Sequence, residues 1–292
     1  MPTVRPATLA DAAAWADVVT ACSPYLVQDL ASTEHGMRTE PAAVRRVVAE
    51  QDGRVVGVGR LHADPGEEHV TMMLMVAPEH RHAGVGAALL TDQLPAAAAT
   101  GSTTVRSIVE DDDDSRAAAA AWGFTLTRRF AMSMVDPRTV VAAAPPDGVR
   151  LLPLSDLPPR VIWHALSAVM RDDPSGLSTP MTFGEFQDQW ADPRMRPAVG
   201  RAVLVDGELA ALSVLGVAGE RAWSDMTGTL PAYRGRGFAR LAKQHTLVAA
   251  AGAGVTRAMA GNDDANAPMV AVNRSLGYAV FAHAALGVRA LP

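Results

Sequence analysis

The spacing of apolar residues predicts the same series of elements twice along the chain. In the first half, β-branched apolar runs start at Arg54 and end at Val76, with the turn-forming pair Pro65-Gly66 between them, and they predict a β-hairpin. In the second half, a run from Arg201 is broken by the typical hairpin turn Asp206-Gly207 and is followed by the run RAWSDMTGTL. An alanine- and leucine-rich segment, typical of a helix, follows each hairpin. The chain is therefore predicted to be an α/β protein with a repeated plan.

The clearest similarity between the halves lies where hairpin and helix meet. The segment VAPEHRHAGVGAALL, residues 76–90, recurs as TLPAYRGRGFARLAK, residues 229–243. Arg81 and Arg234 hold the same place in the two copies and are 153 residues apart (234 − 81), which is the length of an ordinary domain. The repeat therefore predicts a duplicated domain.

The rest of the plan sets the domain boundary. Each half continues with a strand, a helix and a glycine-aromatic pair, Gly123-Phe124 in the first and Gly277-Tyr278 in the second. Between the halves, Pro145-Pro146 cannot continue a helix and is typical of a linker. We therefore predict an N-terminal domain of residues 1–143 and a C-terminal domain of residues 144–292.

Composition is that of a globular protein. The chain has 292 residues, of which 49% are hydrophobic and 20% charged. No apolar run approaches the roughly 18 residues of a membrane span, and the N-terminal segment lacks the apolar block and cleavage site of a secretory signal. A soluble, cytoplasmic protein is therefore expected. A formal charge of -5 argues against a dedicated nucleic-acid binder, because phosphate contacts need a concentrated basic surface.

No metal site is predicted. Cys22 is the single cysteine, which excludes an internal disulfide and a cysteine-built zinc site, and we expect it to be a small buried residue rather than a nucleophile. The acidic run from Asp111 to Asp114 lacks the spaced ligands and the glycine of a calcium loop. Its negative charge favours the helix that follows.

Both copies of the shared motif have the form Arg-x-x-Gly-x-Gly/Ala at a strand-to-helix junction. The first backbone N–H groups of a helix have no intrahelical partner, and the aligned peptide dipoles add partial positive charge, so main chain alone can hold a pyrophosphate there. Glycine at Gly84 and Gly237 allows a sharp turn or a close approach, and the arginine adds a forked set of donors. The dinucleotide-binding and nucleoside-triphosphate glycine motifs are both missing from the sequence.

On these motifs, both halves resemble the GNAT superfamily of N-acetyltransferases, and the tandem arrangement resembles its mycothiol synthase-like branch. The resemblance covers nearly the full length and is strongest over residues 227–278. It implies two tandem α/β (α+β) folds, each a mixed, mostly antiparallel twisted sheet flanked by helices. It also implies acetyl-CoA as cofactor, and an amine substrate that enters from the opposite side of a split sheet.

The resemblance also implies which residues bind the cofactor. In the family, the signature amides hold the pyrophosphate and the preceding strand hydrogen-bonds the pantetheine arm. In the first half the matching residues are Val76, Arg81, His82, Ala83, Gly84, Val85, Gly86 and Ala87. In the second half they are Thr229, Leu230, Arg234, Gly235, Arg236, Gly237, Phe238 and Ala239. Asn266 suits the N-cap of the last helix and is also predicted to contact the cofactor.

The catalytic residues are harder to assign. Relatives often carry an acid tyrosine four residues before the last glycine-aromatic pair, where this chain has Ala119 and Asn273. Asn273 is predicted to orient a water or the pantetheine, with capping or packing as the alternative. Asp225 is the predicted base, because strand alternation should place it on one face with Trp223 and Thr227. It could equally bond backbone or face solvent.

At the repeat position of Asp225 the first half has Met72, so that half has no predicted acid or base. We therefore predict an acetyl-CoA-dependent N-acetyltransferase that modifies a primary amine of a small molecule, with the chemistry mainly in the C-terminal half. A monomer or homodimer without a nucleic-acid or membrane partner is expected. Two alternatives are a non-catalytic acyl-CoA-binding or regulatory protein, favoured by the missing tyrosines, and a protein or peptide N-acetyltransferase.

Overall fold

A computed structural model of the protein describes residues 2–63, 67–172 and 180–291. They form two compact units. The N-terminal unit runs up to Phe130 and also includes the chain from His283 onward, whereas the C-terminal unit comprises Ala131–Ala282. The domain boundary at 143/144 follows the sequence repeat and stays a prediction. The turn predicted at Pro65-Gly66 lies outside the described residues.

From Arg54 onward, the N-terminal unit has its strands and helices in the predicted order. Its elements are β1 (Thr3–Pro6), α1 (Ala12–Cys22), α2 (Leu30–Thr39), β2 (Val44–Gln51), β3 (Arg54–Ala63), β4 (His69–Val76), α3 (Val85–Ala98), β5 (Thr104–Glu110), α4 (Asp113–Ala121) and the first part of β6 (Thr125–Val135). Strands β1 to β4 pair antiparallel in sequence order, and β4 pairs parallel with β5.

The C-terminal unit repeats this plan. Its elements are β7 (Val149–Pro153), α5 (Pro159–Arg171), α6 (Phe183–Trp190), β8 (Arg201–Val205), β9 (Glu208–Ala218), β10 (Arg221–Thr229), α7 (Phe238–Gly252), β11 (Arg257–Asp263), α8 (Ala267–Ser275) and the start of β12 (Ala279–Ala290). Strands β7 to β10 pair antiparallel, and β10 pairs parallel with β11. Asp206 and Gly207 make the predicted hairpin turn, with φ values of 52° and 88°.

Each sheet is completed by a strand segment from the other half of the sequence. In the N-terminal unit, residues 284–290 of β12 pair antiparallel with β5 and also lie beside the first part of β6. In the C-terminal unit, the second part of β6 lies beside β11, and the Ser133 hydroxyl donates to the Ala260 carbonyl at 3.3 Å. The repeat in the sequence therefore does not coincide with the two compact units.

Helices cover both faces of the N-terminal sheet. Trp15 of α1 packs with Val48 on one face. Leu89 of α3 packs with Val47 and Ala49 on the other, as strand alternation requires. We call these the α1 face and the α3 face.

The C-terminal sheet is covered in the same way. Ile162 of α5 and Phe186 of α6 pack with Leu212 and Val214 on what we call the α5 face. Leu247 of α7 packs with Leu215 and Val217 on the α7 face.

Polar side chains mark where the last helix of each half begins. Asp112, from the predicted acidic run, accepts a hydrogen bond from the Ser115 amide at 2.8 Å and caps α4. Asn266 accepts from the Met269 amide at 3.3 Å and caps α8, which confirms its predicted capping role.

Candidate functional site

In both units the sheet splits beside the shared motif. Between β4 and β5, only residues 69–71 pair with residues 104–106. Between β10 and β11, only residues 221–223 pair with residues 257–259. Past these short ladders the two strands are no longer paired. The remainder of β4 and of β10 leads directly to the predicted pyrophosphate signature, so each split opens next to a signature.

A left-handed glycine starts the signature helix in both units. Gly84 precedes α3 with a φ of 80°, and Gly237 precedes α7 with a φ of 79°. A Cβ built on either glycine would meet no atom within 4 Å, so glycine is required by the backbone conformation rather than by crowding. No side chain caps either helix, which leaves the first N–H groups facing outward for an anion.

The residue after the signature arginine is also left-handed in both copies. Gly235 has a φ of 74°, and the exposed His82 has a φ of 60°. A left-handed residue other than glycine costs about 1 kcal/mol. The repeat has therefore kept the shape of the loop although the residue differs, as expected if the loop shape itself binds the ligand.

The signature arginines lie at the surface next to acidic partners. Arg234 donates through Nη2 to Asp172 Oδ2 at 2.8 Å and through Nε to the Thr229 carbonyl at 3.3 Å. Arg81 Nη1 is 4.0 Å from Asp114 Oδ2. Exposed pairs of this kind contribute little to stability, so an incoming phosphate can replace the carboxylate at low cost.

A cavity of about 340 Å³ occupies the split of the N-terminal unit. Its wall combines the unpaired part of β4, the end of β5, the signature and α4. The residues that line it include Cys22, Ser23, Met72–Val76, Arg81, Gly84, Gly86, Ser107–Glu110, Ala119 and Trp122. The predicted cofactor residues Val76, Arg81, His82, Gly84, Gly86 and Ala87 therefore line one cavity.

A carboxylate that the sequence interpretation missed lies in this cavity wall. Glu110 accepts a hydrogen bond from Ser23 Oγ at 2.5 Å and another from the Tyr25 hydroxyl. Burial raises the pKa of Glu110, and the two hydroxyls oppose that rise. The repeat gives the signal that could have revealed it, because Asp263 ends β11 as Glu110 ends β5, again 153 residues apart (263 − 110).

Cys22 also lines this cavity, and it is only partly buried. Its thiol donates to the Val76 carbonyl at 3.1 Å. Burial raises the pKa of the thiol, against the lowering effect of the nearby Arg81. The prediction that Cys22 is buried is therefore wrong, because the residue lies in the wall of an open cavity. A thiol that stays protonated is a poor nucleophile, and a structural role for Cys22 stays a prediction.

In the C-terminal unit, Asp225 stands at a β-bulge. The bulge lies between Ser224 and Met226 of β10, and Asp225 Oδ2 is enclosed and lies over Gly216 of β9. Burial raises the pKa of Asp225 to about 6, partly offset by the charge of Arg194. An acid with this pKa is largely ionised at neutral pH and can accept a proton there.

The bulge makes one sequence prediction wrong. Trp223 pairs with Gly216 and Met226 pairs with Val214, so both face α5 and α6. Thr227 pairs with Ser213, and the hydroxyl groups of the two residues form a hydrogen bond of 2.9 Å. Thr227 therefore faces α7. The extra residue shifts the alternation by one, and Asp225 does not share a face with Thr227.

Asn273, the second predicted catalytic residue, is 3% exposed and belongs to a buried polar chain. Lys243 Nζ of α7 donates to Asn273 Oδ1 at 2.6 Å, and Asn273 Nδ2 donates to Asn262 Oδ1 at 2.5 Å. The Lys243 ammonium also lies 4.7 Å from the centre of the Tyr278 ring. Asn273 is thus held among α7, α8 and β11, on the opposite side of the sheet from Asp225.

Both units therefore join a split sheet to an uncapped helix that a left-handed glycine begins. The sequence profile of the acetyltransferase (GNAT) family matches residues 12–124 and 163–278. The chain belongs to the GNAT family of acetyltransferases. The tandem arrangement is confirmed, while likeness to mycothiol synthase in particular stays a prediction. Among curated proteins, none matches the chain in sequence.

Solved GNAT structures share the fold over the whole chain. A tandem GNAT protein from the clavulanic acid biosynthesis pathway is 20% identical with a TM-score of 0.78, covering 100% of this chain and 99% of its own. A GCN5-related N-acetyltransferase from Sphaerobacter thermophilus is 19% identical with a TM-score of 0.72, and the match covers 99% of this chain and 96% of the other. A glucosamine N-acetyltransferase region of a fungal multi-domain β-N-acetylglucosaminidase is 15% identical with a TM-score of 0.69, and the match covers 99% of this chain and 38% of the other. At these identities the likeness concerns the fold alone.

GNAT acetyltransferases generally use acetyl-CoA, and the residues present fit it. Each signature offers backbone N–H groups that no side chain caps, together with an arginine at its first position. Within residues 2–63, 67–172 and 180–291 no group of His, Cys, Asp or Glu is arranged to hold a metal ion. In the same residues no helix has the length and apolar character to span a membrane.

The buried Lys243 predicts an unusual pH dependence of stability. Burial lowers its pKa to about 7, so between about pH 7 and 10 the unfolded chain holds a proton on this amine that the folded chain has lost. The free energy of unfolding contributed by Lys243 should therefore rise from pH 7 to pH 9, by about 2 kcal/mol. Guanidinium unfolding of wild type and K243M at both pH values measures it. Because other titrations cancel in this comparison, an equal pH dependence of the two proteins would contradict the prediction.

Proposed function

We propose that the chain is an acetyl-CoA-dependent N-acetyltransferase that acetylates a primary amine of a small molecule, with the chemistry mainly in the C-terminal unit. One observation carries this proposal. Asp225 lies on the α5 face of the split sheet, whereas the signature helix α7 lies on the other face. A carboxylate able to accept a proton and a site able to bind pyrophosphate therefore stand on opposite sides of one split, as transfer between two bound reactants requires.

Each reactant has chain groups suited to it. We assign the cofactor to the amides of Phe238 and Ala239, to Arg234, and to the strand end at Thr229 and Leu230. Bound acetyl-CoA supplies the thioester carbonyl that the amine attacks. The signature amides and the arginine match the charge of the pyrophosphate. The loop of Gly235, Arg236 and Gly237 places these amides and the arginine around the pyrophosphate.

Asp225 then holds and moves the proton. It accepts a proton from the amine nitrogen on the α5 face as the new C–N bond forms and the C–S bond breaks, and it returns to the ionised state by releasing that proton to solvent. The departing thiolate takes a proton from solvent. Asn273 has a positioning role, because it fixes the Lys243 amine on the α7 face beside β11. In the N-terminal unit, residues 81–87 and Val76 are assigned to a second cofactor molecule.

Thiol release tests the function. Purified protein with acetyl-CoA should release free thiol only when a suitable primary amine is present, and mass spectrometry should find the amine one acetyl group heavier. A panel of amino sugars, amino acids, polyamines and alkylamines covers the acceptor classes. Tight acetyl-CoA binding without thiol release for any acceptor would instead indicate a non-catalytic acyl-CoA-binding protein. Release with basic peptides alone would indicate peptide acetylation.

A further inference from the structure

The N-terminal cavity passes through its sheet from one face to the other. On the α3 face it is lined by Gly84 of the signature and by Ala119 and Trp122. At the other end it is lined by Cys22 and Ser23, at the end of α1. A ligand held by the signature can therefore reach groups on the α1 face through the split.

Glu110 stands where the cavity reaches the α1 face. Ser23 Oγ and the Tyr25 hydroxyl, both in the loop after α1, donate to the same oxygen of its carboxylate. Tyr25 is 4% exposed, so its position is fixed by packing. The remaining carboxylate oxygen is free of these two bonds, and a protonated amine is the natural ligand for it.

The wall around this carboxylate is apolar. Met73 and Met75 of β4 pack with the α1 side of the sheet and also line the cavity, as does Cys22. The charge of Glu110 therefore sits at the end of an apolar passage. An amine carried on an apolar carbon chain matches both features.

We infer that the N-terminal cleft is a second acyl-transfer centre, in which Glu110 accepts the proton of a primary amine carried on an apolar chain. This inference rests on the proposed N-acetyltransferase function. The amine nitrogen forms a C–N bond with the thioester carbonyl carbon, and the C–S bond breaks. Glu110 takes one proton from the bound ammonium before attack, which frees the nitrogen lone pair, and a second proton as the C–N bond forms. It passes each proton to solvent, while the departing thiolate takes a proton from solvent. No oxidant or reductant is needed.

The activity test uses protein in which the C-terminal base has been removed. D225N should still release thiol from acetyl-CoA with hexylamine, and faster than with the polar ethanolamine. Adding E110Q should lower that remaining rate at least about 100-fold, the lower range for loss of a general base. Adding E68Q, at an exposed glutamate of the same unit, should leave it unchanged. Equal rates for D225N and D225N/E110Q would overturn the inference while leaving the proposed function intact, and no thiol release by wild type would overturn both.

Binding gives a readout that does not depend on turnover. Hexylammonium titrated calorimetrically into D225N saturated with CoA should bind about 10-fold more weakly once E110Q is added, because a charge-assisted hydrogen bond is lost. Neutral N-acetylhexylamine should bind both proteins alike. Equal affinity of hexylammonium for the two proteins would overturn the inference.

Substitution of Tyr25 by phenylalanine tests whether the Tyr25 hydroxyl acts on the Glu110 carboxylate or only supports the fold. The charged groups that act on Glu110 are Arg81 and Asp112, and the Tyr25 hydroxyl favours its ionised form. Y25F in the D225N background should therefore move the midpoint of the pH–rate profile to higher pH while the protein still binds CoA. A lower rate with an unmoved midpoint would count against Glu110 as the base.

Discussion

In protein that carries E110Q, so that the N-terminal cleft is inactive, replacement of Asp225 by asparagine is expected to lower kcat/KM for amine acetylation by about 10²- to 10⁴-fold, the usual range for loss of a general base. Asparagine has nearly the same shape and can still accept a hydrogen bond, but it cannot take up the proton. In E110Q, kcat/KM should rise with pH through about 6, where the Asp225 carboxyl ionises, and this limb should be absent from D225N/E110Q. Steady-state thiol release across pH 5 to 9 measures both effects.

The same substitution should make the protein more stable at alkaline pH. The pKa of Asp225 is about 6 in the folded chain and 3.8 as its ordinary value, so ionisation of this group costs folding free energy as pH rises through that window. At pH 8 D225N should unfold with about 3 kcal/mol more free energy than wild type, and at about pH 3, below both pKa values, the difference should vanish. D206N, at the exposed hairpin turn of the same unit, should change neither activity nor stability. Loss of activity with loss of stability at pH 8 would point to misfolding.

Alanine at Gly228 is expected to cause the largest loss of stability among substitutions near the site. Gly228 lies on β10, and a Cβ added there would collide with the Val169 side chain of α5. Because backbone and helix are both held by packing, we expect a loss of about 2 to 3 kcal/mol in the free energy of unfolding. Acetylation should fall as well, since α5 covers the face on which Asp225 lies. Guanidinium unfolding and thiol release measure the two effects.

A second substitution identifies the cause. G228A/V169A removes the colliding side chain and should recover part of the stability lost in G228A, which is the coupling expected of residues in contact. G252A, at the end of α7 where a Cβ would meet no atom within 4 Å, should be neutral or slightly stabilising. If G228A unfolds at the same denaturant concentration as wild type, the close approach of α5 to β10 is not a feature of the protein.

The sequence predicted the elements around the site well because their signals are local. The signature loops need left-handed glycine, and Gly84 and Gly237 both have that conformation. Asn266 caps its helix through contacts within four residues, so it too could be predicted. The hairpin turn at Asp206-Gly207 is a further local signal that the structure confirms.

What the sequence did not predict depends on distant partners. The face of Asp225 changes because β10 bulges against β9, and no local pattern marks the bulge. Glu110 acquires its role only where folding brings it to Ser23 and Tyr25, 87 and 85 residues earlier. The strand at residues 279–290 was not predicted, and its pairing with β5 joins residues that lie far apart in the sequence.

The most direct test of the central claim is a crystal structure with bound acetyl-CoA. We predict pyrophosphate on the backbone amides that follow Gly237, and the thioester in the split between β10 and β11, with its carbonyl open to an amine held beside Asp225. An empty C-terminal signature in crystals grown with saturating acetyl-CoA, or a thioester on the side of the sheet away from the split, would contradict the assignment of the chemistry to this unit.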